Sequence, residues 1–135
     1  MTPPNHLPPG LPPALAWLAL AVAGGLGTVA RAGITALAGR VCGGDFPWGT
    51  LAVNLLGALL FGVVVGTGRS RLGLPAGIET LLLVGLLGGF TTFSSYAFQA
   101  LDLWQQGRPA AAVAYVGLSN LLGLLAVWSG LRLAS

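Results

Sequence analysis

The sequence predicts an all-α membrane protein of four transmembrane helices. Three observations carry that prediction: four apolar blocks of spanning length, a composition almost free of charge, and short breaker-rich loops between the blocks. Of the 135 residues, 55% are hydrophobic and only 7% charged, where a soluble domain carries roughly a quarter charged residues. A surface this poor in charge suits lipid rather than water. The basic residues are six Arg and the acids are Asp45, Glu79 and Asp102, for a net charge of +3. That set is too sparse for a nucleic-acid footprint, which clusters basic residues on one face. A single Cys (Cys42) and a single His (His6) exclude a disulfide framework and a multi-ligand side-chain metal site within one chain.

Residues 1–13 hold six of the nine prolines. Proline removes amide donors and fixes φ, so this segment is expected to be an extended or disordered tail; it lacks the basic n-region of a signal peptide. Residues 14–135 are then one membrane domain. Its apolar blocks run over about 14–37, 48–67, 78–101 and 110–131, each matching the ~20 residues a helix needs to cross a hydrocarbon core. The loops between them read GRVCGGDFP, GRSRLGLPAG and DLWQQGRP. Helices are the open-chain solution in lipid because each backbone amide must be satisfied within its own segment. Trp17, Trp48, Trp104 and Trp128 fall near block ends, where indole rings favour the headgroup region. No block carries the polar outer stripe of a soluble bundle.

With four spans, both termini share a side with the second loop. That side carries Arg69, Arg71 and Arg132, and the other carries Arg31, Arg40 and Arg108. This three-to-three tally selects no orientation under the positive-inside rule. It fits either a chance balance in a charge-poor chain or insertion both ways up, with copies pairing antiparallel. Transport proteins often build their site between inverted repeats, and a homodimer of oppositely inserted copies supplies that symmetry from one short chain.

At membrane depth the chemistry is uncharged. The spans hold no Asp, Lys or His, and Glu79 lies at the start of the third. A proton-coupled transporter needs an intramembrane titrating group, so the pattern argues for a passive channel. No nucleophilic constellation points to an enzyme. In the second span Asn54 stands alone, with Gly57 and Phe61 on its face and Gly62–Gly66 as a small-xxx-small pair. Its amide reads equally as a helix–helix hydrogen bond or as a donor aimed into a polar path. In the third span the run GGFTTFSSY is a poor way to continue a helix. A mid-membrane break there would free carbonyls that are tolerable only where they line a cavity or bind an ion; on a two-fold axis, two per subunit would give four oxygen ligands for a monovalent cation. Glycines that merely let helices touch are the plainer reading. Phe93 and Tyr96, spaced i, i+3, place two rings on one side, and ring edges carry partial positive charge. They read as an anion path or as ordinary packing. In the fourth span Tyr115, Ser119 and Gly123 share a face, with Asn120 beside it. Serine bonding within its own helix is the plainer account of that weakly polar stripe. Arg31 lies about 27 Å along the first span. It either snorkels to the interface or concentrates anions in a vestibule.

Taken together, GGLGTVAR at 24–31, PWGTLAVNLLGALLFG at 47–62, GLLGGFTTFSSY at 85–96 and the Tyr115-to-Ser119 spacing resemble the Fluc (CrcB) family of fluoride channels, over about residues 14–132. The resemblance implies a fluoride-selective passive channel of the bacterial plasma (inner) membrane that exports cytoplasmic fluoride and confers fluoride resistance. It implies an antiparallel, dual-topology homodimer with two pores. By it, Asn54 matches the pore asparagine, Phe93 the first pore phenylalanine and Tyr115 the fourth-helix pore aromatic. Thr92, Ser94 and Ser119 fall on the polar track, and Arg31 lies near the vestibule. The backbone carbonyls of Gly88 and Thr91 would hold a structural sodium ion (Na+) at the dimer centre. Tyr96 departs from the family pattern, which has a second phenylalanine there, and Gly123 stands where a hydroxyl residue often continues the track. A small dual-topology exporter of cationic compounds shares the size and helix count, but it needs a first-helix carboxylate that residues 14–38 lack. A non-transporting assembly subunit would move no ion at all.

Overall fold

The computed structural model describes residues 7–70 and 73–134. Among these the chain is all helical, with four helical stretches long and apolar enough to cross a membrane: Pro13–Cys42, Trp48–Arg69, Ala76–Gln105 and Pro109–Leu133. The first, second and fourth are single helices, α1 (Pro13–Cys42), α2 (Trp48–Arg69) and α6 (Pro109–Leu133). The third span is composite. It begins as α3 (Ala76–Thr80), passes through a π-helical stretch (Leu81–Leu87), closes in one α turn, α4 (Gly88–Phe90), and restarts as α5 (Phe93–Gln105). Between α4 and α5, Thr91 (φ −81, ψ 160) and Thr92 (φ −148, ψ 115) are extended, so the third span contains a two-residue step.

The helix ends have local causes. Pro13 and Pro109 sit in the first turns of α1 and α6, where a missing amide costs nothing. The first helix runs five residues past the expected Leu37, because Gly39 only weakens a helix whereas Gly43, at φ 77, ends it. At the other hairpin, Gly107 has φ 72; its amide donates to Trp104 O, and Arg108 N donates to Leu103 O. That is a Schellman closure, and Pro109 after it starts the next helix. Arg108 Nη1 also donates to the Asp45 carbonyl, pinning the α1–α2 loop to the start of α6.

Residues 1–6 of the expected tail, and Arg71 of the charge tally, lie outside the described residues. Within the described part, Pro8 is buried and the Pro9 carbonyl lies against Gly77 at the start of α3, so the proline-rich segment docks on the third span.

The interior is thin. One cluster joins Leu51, Leu103, Ala112 and Tyr115; another joins Val53, Leu87 and Phe90. Large apolar side chains such as Leu26, Val29, Leu121 and Leu124 point outward, as expected for lipid-facing helices. Helices of this kind gain little from apolar burial against one another and associate through close backbone approach. At the α2–α6 crossing, a Cβ on Gly62 would lie 2.3 Å from Val127 O, and one on Gly130 would lie 2.2 Å from Leu59 O. Where α1 crosses the π-helical stretch and α4, a Cβ on Gly27 would lie 2.1 Å from Leu86 O, and one on Gly89 would lie 2.2 Å from Gly24 O. These contacts hold the third span against α1 and set the position of the step.

Candidate functional site

The step is built by side chains that take over the hydrogen bonds a continuous helix would make. Thr92 N, the amide that would bond Gly88 O, donates instead to Asn54 Oδ1 (2.9 Å), and Asn54 Nδ2 donates to Thr92 O (3.1 Å). One amide side chain on α2 thus pairs both backbone polar groups of Thr92 on the third span. Ser95 N, which would bond Thr91 O, donates to Thr92 Oγ1 (3.3 Å), so Thr92 caps the restarted helix. Thr92 Oγ1 also donates to Ser95 Oγ (3.0 Å). The carbonyl of Gly89 is taken up by α1: Arg31 Nε donates to it (3.2 Å), and Thr28 Oγ1 lies 3.4 Å away. Thr91 Oγ1 bonds back to Leu87 O (3.0 Å).

Two cavities flank the step and share Thr92. The first, of about 330 Å³, is lined by Asn54, Gly57, Ala58, Phe61, Leu83, Leu87, Gly88, Thr91, Thr92, Phe93, Tyr96 and Val127. The second, of about 420 Å³, is lined by Arg31, Ala32, Thr35, Ala36, Thr50, Thr92, Ser95 and Gln99. Neither lining includes a carboxylate, and Arg31 is the one formal charge in them.

Eight of the residues singled out in the sequence therefore meet at one cavity: Asn54, Gly57, Phe61, Gly88, Thr91, Thr92, Phe93 and Tyr96. Phe93 is 79% exposed in the single chain, and its ring centroid lies 5.7 Å from that of Tyr96. Asn54 makes the helix–helix bond that was one of its two readings, yet one of its two Nδ2 protons remains for the cavity. Arg31 turns its Nε across to Gly89 O, with its charge beside the second cavity, and α1 continues eleven residues beyond it to Cys42.

Other expected residues lie elsewhere. Ser94 is exposed, with its Oγ 3.4 Å from Thr92 Oγ1. Tyr115 is fully buried inside its own chain, packed against Phe46 (5.5 Å) and Tyr96 (5.4 Å), and its hydroxyl donates to Gln99 Oε1 (3.0 Å). Ser119 Oγ is buried without a hydrogen-bond partner among the described residues, so it does not bond its own helix. An unpaired hydroxyl of this kind costs on the order of 1–3 kcal/mol. Thr28, Ser95 and Gln99 contribute to the site without having been marked in the sequence. Thr28 sits three residues before Arg31 on one face of α1, and that spacing was the available signal.

The two carbonyls expected to hold sodium, those of Gly88 and Thr91, are both diverted from helix bonding. Both carbonyls have lost their helical i+4 amides, to Asn54 Oδ1 and Thr92 Oγ1, and both residues border the first cavity. Neutral backbone oxygens suit a hard monovalent cation. One chain supplies two of them.

Comparison with known proteins gives a consistent result. A family model described as "CrcB-like protein, Camphor Resistance (CrcB)" matches residues 18–131. A protein of Nitratidesulfovibrio vulgaris named "Fluoride-specific ion channel FluC" is 44% identical over 112 residues, covering 83% of this chain and 90% of the relative. A Paracoccus denitrificans protein of the same name is 44% identical over 115 residues, covering 85% and 90%. "Fluoride-specific ion channel FluC 1" of Symbiobacterium thermophilum is 42% identical over 120 residues, covering 88% and 97%.

Proposed function

We propose, from the premise that the chain belongs to the CrcB-like family, that it is a passive fluoride-selective channel of the bacterial plasma membrane. The observation that carries this reading is the cavity at the step, walled by Asn54, Thr92, Phe93 and Tyr96 and bordered by no carboxylate. Fluoride is small and strongly hydrated, so a pore must replace its water with donors without creating a deep well. The spare Asn54 amide proton and the ring edges of Phe93 and Tyr96 are donors of modest strength. Ser94 and Ser119 extend that neutral set along α5 and α6, and Tyr115, its proton held by Gln99, packs its ring behind that of Tyr96. Arg31 raises the local anion concentration beside the second cavity without standing in the first. Fluoride that enters the cytoplasm as neutral HF ionises there and leaves down its gradient through these donors, which accounts for fluoride resistance.

The working unit in this reading is a homodimer of oppositely inserted copies, with the two steps facing each other across the axis in mid-membrane. The balanced arginine tally and the two diverted carbonyls per chain support it. Gly88 O and Thr91 O of each copy would hold a sodium ion, which would supply a fixed positive charge between the two steps. The arrangement predicts a labelling ratio. Cys42 is exposed at the end of α1, so in intact cells a membrane-impermeant maleimide is expected to modify half of it and to modify the rest only after permeabilisation. Labelling of all or none from outside would exclude dual topology.

The function is tested on purified protein in liposomes loaded with fluoride or chloride, with release followed by ion-selective electrodes. Fluoride release with chloride retained is the expected result. Equal release of both ions, or of neither, would overturn the reading, the latter pointing to a subunit without transport activity.

A further inference from the structure

The geometry points to Asn120 as a positioning residue that frees the Tyr96 phenolic proton for the ion; this rests on the fluoride-channel reading above. Asn120 lies on α6, outside the first cavity, and its Nδ2 makes two contacts: to Val116 O (2.7 Å), one turn back on its own helix, and to Tyr96 Oη (2.8 Å) on α5. The Val116 bond fixes the amide's orientation. Turned the other way, Asn120 would set Oδ1 against a carbonyl oxygen at that distance, acceptor against acceptor. Nδ2 is therefore the donor, and both its protons are used, one on Val116 O and one on Tyr96 Oη.

The phenol is left as an acceptor in that bond. Its own proton has no acceptor among the described residues, while the Tyr96 residue borders the cavity that also holds Asn54, Thr92 and Phe93. A hydroxyl that accepts one hydrogen bond becomes a stronger donor in the next. Tyr115, the neighbouring phenol, is wired the opposite way: its proton is spent on Gln99 Oε1, leaving nothing to give. Of these two adjacent tyrosines, Tyr96 is thus the one equipped to offer a proton to a fluoride ion, and Asn120, by donating to its oxygen rather than accepting from it, leaves that proton free and strengthens it as a donor.

The test is a mutant cycle on the purified protein in liposomes, reading the half-saturating fluoride concentration and the fluoride-to-chloride release ratio. Tyr96→Phe and Asn120→Leu are each expected to raise the half-saturating concentration about two- to tenfold, the scale of one lost hydrogen bond, and to lower the fluoride-to-chloride ratio. Because Asn120 acts through the Tyr96 hydroxyl, the double variant is expected to be no worse than either single one. An unchanged Tyr96→Phe protein, or a double variant showing the product of the two single effects, overturns the inference. If Asn120→Leu does not fold, Tyr96→Phe, which preserves the ring, decides alone. A wild-type protein that releases no fluoride brings down the channel reading and this inference together; a conducting wild type with an additive cycle brings down only this one.

Discussion

Replacing Asn54 with aspartate is expected to slow fluoride release from loaded liposomes by about a hundredfold. The substitution keeps the size of the side chain and changes two things. First, it puts a negative charge on the wall of the cavity at the step. At about 6 Å from a passing anion and an effective dielectric near 20, the repulsion is about 3 kcal/mol, which corresponds to that hundredfold. Second, it spoils half of the grip on Thr92. One carboxylate oxygen still accepts from Thr92 N, but the other replaces Nδ2 and meets Thr92 O at the 3.1 Å that Nδ2 now spans, acceptor against acceptor. Asn54→Leu separates the two effects. It removes both bonds without adding charge and leaves two backbone groups of Thr92 unpaired, at about 1–3 kcal/mol each. Heat denaturation of that variant should therefore fall well below wild type. A charge effect in the path appears as an Asn54→Asp protein that melts above Asn54→Leu yet conducts far less than wild type. Release at the wild-type rate would remove Asn54 from the ion path.

The same residue illustrates how much was legible in the sequence. A lone amide among apolar neighbours must have a partner, and that much follows from desolvation alone. That the partner is the backbone of Thr92, thirty-eight residues away, depends on how α2 packs against the third span, which no local pattern encodes. The spans themselves were readable because twenty apolar residues have one solution in lipid. Their ends were less so: α1 overran its expected boundary because Gly39 weakens a helix without stopping it. The run LLLVGLL became π-helical although its composition does not distinguish it from any other apolar run. The i, i+4 stripe of Tyr115 and Ser119 placed both on one face correctly, but the face turns inward: Tyr115 is buried in the cluster with Leu51 and Leu103. Periodicity shows which residues share a face and leaves open what that face meets.

Adjacent Gly88 and Gly89 are expected to respond to alanine in opposite ways, and the contrast bears on the dimer. Both lie in the short turn α4, where alanine improves helix propensity by about 1 kcal/mol over glycine. At Gly89 sterics win. A Cβ there would stand 2.2 Å from Gly24 O and 2.9 Å from Gly24 C; these are backbone atoms of α1 that cannot rotate away. Relief requires α4 to lift off α1, which also carries the Gly89 carbonyl away from Arg31 and Thr28. Overpacking of this kind costs typically about 1–3 kcal/mol, so Gly89→Ala should lose thermal stability and fluoride release together. At Gly88 the nearest atom to an added Cβ is Leu83 O at 3.7 Å, ordinary contact distance, so the single chain has room and the propensity gain stands. The folded chain should be at least as stable as wild type. If two steps meet face to face at this glycine, however, the added methyl groups approach each other across the axis, and Gly88→Ala should weaken the dimer and its conduction without unfolding the subunit. Size-exclusion mass measurement in detergent, paired with fluoride release, reads both. A Gly88→Ala protein that stays dimeric and conducts as well as wild type would mean that no second copy comes close at the step, and the sodium ligands would then have to be sought within one chain.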